Sequence, residues 1–192
     1  MQVNFAFIRN LKFMLEQSFL AAVQSLRARA HQHIGESTSK TGYSAHRESV
    51  LKLLNNALAT EIVCVERYRR YEDMEIPAEG CGMADEFTRH LGQDQAHADQ
   101  LADRIVQLGG DPDFSADGLA SGRDRQSVKI YSLLDLIKGD MIAECITIKG
   151  YRDIVQFLGD RDPVSRNLMS EILTAEEQHA AEVARLLEAM PA

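Results

Sequence analysis

The chain of 192 residues is 45% hydrophobic and 26% charged, enough to bury one sizeable core as an ordinary soluble globular protein. Its formal net charge of -8 argues against a general nucleic-acid binder, which must meet phosphate with clustered Lys and Arg, and points to cations as partners. Cys64, Cys81 and Cys145 form neither a C-x-x-C pair nor a disulfide framework, and no apolar run is long enough to span a bilayer, so a cytoplasmic protein is expected.

Taken in chain order, residues 1–47 hold six Lys or Arg against Glu16 and Glu36, a balance of +4 that leaves -12 for the rest. Ile8, Leu11, Leu15, Phe19, Ala22 and Leu26 recur at helical spacing, while Arg9, Lys12 and Glu16 break the apolar run that a signal peptide needs. The spacing predicts an amphipathic helix that docks on the remainder of the protein, followed by a polar linker over His33 to His46. Contacts to DNA or a membrane surface are the alternatives weighed for this basic segment. The organisation expected is therefore 1–47 as helix and linker and 48–192 as the main domain.

Four long segments of helical period follow. The first, about 48–75, aligns Val50, Leu54, Ala57, Glu61, Cys64 and Tyr68, and a loop with Pro77, Gly80 and Gly82 ends it. The second, about 84–108, aligns Phe87, Leu91, Asp94, Ala98, Leu101, Ile105 and Leu108 before Gly109-Gly110 and Pro112. The third, about 131–159, aligns Leu134, Ile137, Met141, Glu144, Ile148, Tyr151, Val155 and Leu158. The fourth, about 163–190, opens with Asp162 as N-cap and Pro163 at the first helical position, and aligns Leu168, Ile172, Glu176, His179, Val183, Leu186 and Met190. Short links make the first and second segments one antiparallel hairpin and the third and fourth another. The link near 110–130 is long enough to run the length of a helix, about 38 Å for roughly 25 residues. The fold expected is all-α, a four-helix bundle with one long crossover.

Each apolar stripe carries an acid near its middle, where burial should exclude one. An unpaired carboxylate in a bundle interior costs several kcal/mol of desolvation, and four together also repel. Asp94 and Glu176 are each followed three residues later by a histidine, His97 and His179, and that spacing puts acid and imidazole on one helix face. Four carboxylates and two imidazoles converging at mid-bundle match two divalent cations in charge. Oxygen donors with some imidazole suit iron, with manganese as the alternative. Cys64 and Cys145 read as small buried hydrophobes, Tyr71, Tyr131 and Tyr151 as packing residues, and His90 as a polar residue near a helix start, with a part in the site as the alternative.

On Glu61 with Tyr68 seven residues on, Asp94-Gln95-Ala96-His97, Glu144 and Glu176-Glu177-Gln178-His179, the chain over about 48–190 resembles the bacterioferritins and the wider ferritin-like superfamily. The resemblance implies a ferritin-like bundle with Glu61 and Glu144 as terminal ligands, Asp94 and Glu176 as bridges, His97 and His179 each on one metal, and Tyr68 hydrogen-bonded to Glu144. Gln95 stands where haem-binding members carry methionine, so haem is not expected. Asp94 is shorter by one methylene than the family's bridging Glu. The chain stops at Ala192 without the short fifth helix of the large cages, so the resemblance does not extend to a 24-subunit shell and leaves a smaller shell or a dimer open. The activity implied is ferroxidase-type oxidation of ferrous iron by oxygen or hydrogen peroxide, for storage or detoxification, in a homo-oligomer. Two other readings are a di-metal oxidase or peroxide-consuming enzyme without storage and a metal-free helical interaction module.

Overall fold

The computed structural model describes residues 19–34, 43–72, 81–115 and 133–189. The described residues form five helices, α1 (19–34), α2 (Tyr43–Glu72), α3 (Cys81–Gln107), α4 (Leu133–Leu158) and α5 (Pro163–Ala189), and no strand. None of these helices is long and apolar enough to cross a membrane. Ile8, Leu11, Leu15 and Met190 lie outside the described residues, as does 116–132 of the long connection.

Local chemistry sets the helix ends. Gly109, at φ 68°, follows the last turn of α3; its N–H bonds Val106 O at 2.8 Å, and the Gly110 N–H bonds Ile105 O at 3.0 Å, the paired bonds of a Schellman cap. Gly159, at φ 48°, closes α4 through one bond to Val155 O at 3.2 Å. Asp162 caps α5 as expected, its carboxylate accepting from Ser165 N–H at 3.1 Å and Arg104 at 3.0 Å, with Pro163 at the first helical position. Two starts differ from expectation. α2 begins at Tyr43, inside the stretch read as linker, because tertiary contacts hold these polar residues: Arg47 donates to Leu108 O at 2.6 Å and Gly109 O at 2.7 Å, and His46 lies against Phe157. α3 begins at Cys81, inside the expected loop.

Two apolar clusters fill the bundle. One gathers Leu54 and Leu58 of α2, Leu101 and Ile105 of α3, Ile154 and Leu158 of α4, and Met169 and Ile172 of α5. The other gathers Tyr68, Tyr71, Phe87, Leu136, Ile137 and Val183. The end of α3 thus packs in the first cluster and the start of α4 in the second. Each fully buried large side chain contributes about 1.5–3 kcal/mol relative to exposure. Between the clusters lies a belt of polar side chains. α1 docks outside the bundle through Val23 and Leu26, which pack with Val63 of α2, flanked by Phe19, Ala59 and Ile146. Ala22 is only half-buried, and Val23 takes the inner position that spacing had assigned to it.

Candidate metal centre

The belt is assembled one turn at a time. On α2, Glu61 follows Ala57 and Leu58 of the first cluster and precedes Cys64 and Tyr68 of the second; Asp94 and His97, Glu144, and Glu176 and His179 hold the matching heights on α3, α4 and α5. All six expected site residues are buried, from fully enclosed His179 to His97 at 9% exposure. The i, i+3 spacing on α3 and α5 points both acid and imidazole inward.

Glu176 is the hub. One oxygen stands 3.2 Å from His97 Nδ1, the other 3.6 Å from His179 Nδ1. His97 Nδ1 is also 3.3 Å from Glu61, and His179 Nδ1 is 3.7 Å from Asp94 Oδ1. The His179 ring is turned this way because its other nitrogen donates to Gln93 Oε1 at 3.0 Å. The donor atoms of Glu61, Asp94, His97 and Glu176 lie within 4.8 Å of one another, as do those of His90, Glu144 and His179. Each group could hold a metal ion, and His179 of the second stands 3.6 Å from Glu176 of the first.

Sequence reasoning missed several residues that hold this arrangement. The Tyr151 hydroxyl, read as packing, donates to Glu61 Oε1. The Tyr68 hydroxyl lies 3.2 Å from Glu144 Oε1, as the resemblance implies, and also 3.0 Å from Asp140 Oδ2 and 3.3 Å from His90 Nδ1. Asp140 is itself bound to buried Arg67 at 3.2 Å. Tyr151 follows Glu144 by the same seven residues that separate Tyr68 from Glu61, and that repeat is the signal available in the sequence. His90, read as a polar residue near a helix start, is fully buried, and its ring stacks on His179 with centroids 3.9 Å apart. Cys145 is exposed, contrary to its reading as a buried hydrophobe, while Cys64 packs beside the second cluster.

The electrostatics are those of charge held without enough counter-charge. Burial pushes the carboxyls of Asp94 and Glu144 well above the usual range, and Glu176 adds repulsion to both. Glu61 is raised for the same reasons, with His97 and Tyr151 opposing. Burial acts upward on Glu176 too, but contacts with His179 and His97 outweigh it and hold that carboxyl down to about 2. Burial would lower His97, yet Glu176 and Glu61 carry it up to about 10. No donor reaches Asp94 Oδ1 or Glu144 Oε2, and His179 Nδ1 has no hydrogen-bond partner, although all three atoms are buried. Buried polar atoms are nearly always satisfied, and atoms of this kind turned toward one another fit cations as the missing partners.

The profile of the ferritin-like domain matches residues 51–192. Among solved structures, bacterioferritin from Desulfovibrio desulfuricans, described with its diiron site in different catalytic states, is similar at TM-score 0.64 and 20% identity, over 78% of this chain and 84% of that one. A dodecameric thioferritin, the bacterioferritin-related protein of Bacteroides fragilis, matches at TM-score 0.65 and 22% identity, over 82% and 93%. DpsC from Streptomyces coelicolor matches at TM-score 0.67 and 20% identity, over 77% and 88%.

Proposed function

The chain belongs to the ferritin-like family, and from that premise we propose that it binds two ferrous ions between α2, α3, α4 and α5 and oxidises them with oxygen or hydrogen peroxide. The observation that carries this reading is the buried belt itself: four carboxylates with too few positive groups to balance them, two orphaned carboxylate oxygens and an inward imidazole nitrogen without a partner. A cation in each of the two donor groups would supply the balance, and manganese is the alternative to iron.

Two bound ferrous ions would supply one electron each, enough to reduce oxygen to hydrogen peroxide, or peroxide to water, with protons drawn from solvent. The protein's own part is positioning. Glu176 spans the two donor groups, Tyr151 fixes Glu61, Tyr68 fixes Glu144, and Gln93 fixes the His179 ring. The apolar clusters on either side keep water from competing for the donors. Assembly into a homo-oligomer belongs to the same reading, since an enclosed shell would retain the ferric product. In the domain organisation we propose, 1–47 and 48–192, the first segment attaches to the bundle through α1, and its last residues, from Tyr43, open α2.

Anaerobic titration with ferrous ion, followed by exposure to oxygen or peroxide and by sedimentation of the product, tests the proposal. Two ions per chain, rapid ferric absorbance and a multimeric mass are expected. A chain that takes up no ferrous ion overturns it and leaves the metal-free interaction module in its place.

A further inference from the structure

The two hairpins put unequal donors around the belt. Four residues before Glu176 stands Ile172, an apolar core residue; four residues before Asp94, at the matching place on α3, stands His90. This imidazole is fully buried, stacks on His179 and shares a 4.8 Å donor group with His179 and Glu144.

The surroundings of His90 orient it inward. Its Nε2 lies 3.0 Å from Glu182 Oε2 and 3.3 Å from Arg89 Nη2; with the proton on Nε2, donated to the nearer carboxylate, Nδ1 keeps a free electron pair. Glu182 is held in turn by Arg89, which also bonds Glu86 at 2.8 Å. The Nδ1 side faces Tyr68 and, through it, Glu144. A carboxylate gripping the outer nitrogen of a histidine whose inner nitrogen faces other donors is the arrangement that orients metal-binding imidazoles.

We propose that His90 is a ligand of the second cation, which it binds together with His179 and Glu144, so that the two cation places differ in kind. The inference rests on the two-cation reading above. The first place is dominated by oxygen, from Glu61, Asp94 and Glu176 with one imidazole; the second has two imidazoles and one carboxylate of its own, a set that suits ferrous iron or cobalt. Asp94 and Glu176 border the second place at 3.7 Å and 3.6 Å from His179 Nδ1, and His90 adds a donor on that side.

Anaerobic cobalt(II) titration of the full chain, read by visible absorption and metal count, tests this on the parent, His90→Gln, His90→Ile and Glu182→Gln. The parent should bind two cobalt ions per chain. His90→Gln and His90→Ile should keep one place at parent affinity, weaken the other at least about 10-fold and change its absorption, while Glu182→Gln weakens that same place less. Parent affinity and spectrum in the His90 variants would overturn the proposal, and so would equal weakening of both places, which marks a purely structural histidine. If the His90 variants do not fold, Glu182→Gln decides alone: selective weakening supports the ligand, parent behaviour overturns it. A parent chain that binds fewer than two cobalt ions overturns the two-cation reading and this inference together, an outcome distinct from the others.

Discussion

The α2–α3 and α4–α5 hairpins repeat one arrangement. Glu61 and Glu144 each have a tyrosine seven residues on, and each tyrosine reaches across to the other hairpin's glutamate, Tyr68 to Glu144 and Tyr151 to Glu61. Asp94 and Glu176 each have a histidine three residues on. The repeat breaks where Asp94 faces Glu176 as the shorter acid, and where His90 stands in place of an Ile172. What the hairpins share is what a cradle for two cations requires; where they differ, the two cation places should differ in affinity.

The largest effect is expected from the unequal acids. Glu176→Ala should lower affinity for both cations at least about 100-fold, because each oxygen of Glu176 serves a different histidine, whereas Asp94→Ala should lower it less. Cobalt titration by calorimetry measures both, and equal losses would erase the distinction.

Without metal, the same two positions should respond with opposite sign. Asp94→Asn removes a carboxylate raised by burial and repulsion and should stabilise the metal-free protein by about 1–3 kcal/mol. Glu176→Gln removes the counter-charge of His97 and should destabilise it by a similar amount, about 1–3 kcal/mol. Urea unfolding of chelated protein gives both values.

The pH profile follows from groups shifted upward. His97 titrates near 10 when folded against an ordinary 6.5, so its stabilisation is complete below 6.5 and lost as pH rises toward 10. Asp94 and Glu144, also raised, act in the same direction, their contribution being lost as pH rises from the ordinary carboxylate range. The melting temperature of metal-free protein should fall between pH 6.5 and 10, His97→Gln should flatten that fall, and cation binding should release protons. A melting temperature constant over that range would contradict the shift.

The smallest effect should come from the crossed tyrosines. Tyr68→Phe should weaken chiefly the cation place of Glu144, and Tyr151→Phe that of Glu61, each by roughly 10-fold. Cobalt spectra of the two variants separate the places, and the same place weakened in both would break the crossing.

The buried polar belt was legible in the sequence, because a carboxylate inside an apolar stripe stands apart from its neighbours. The residues that hold the belt in place were not. Tyr151 satisfies the packing pattern as well as the hydrogen-bonding one, so its stripe position hides its hydroxyl. Asp140 and Arg67 have meaning only as partners on different helices. His90 is buried by a helix far away in sequence, and its carboxylate partner Glu182 lies 92 positions on. The start of α2 escaped for the same reason, since polar residues there are held by Arg47 against the end of α3, 61 and 62 positions away. Local period identifies which face is inward; cross-helix partners decide what that face can hold.

Anomalous diffraction at the iron edge, from crystals grown anaerobically with ferrous ion, tests the central claim most directly. Two peaks per chain are predicted, one among Glu61, Asp94, His97 and Glu176 and the other beside Glu144 and His179, with Glu176 touching both. Such crystals showing no peak between the four helices, or peaks only on the outer surface, would contradict the account.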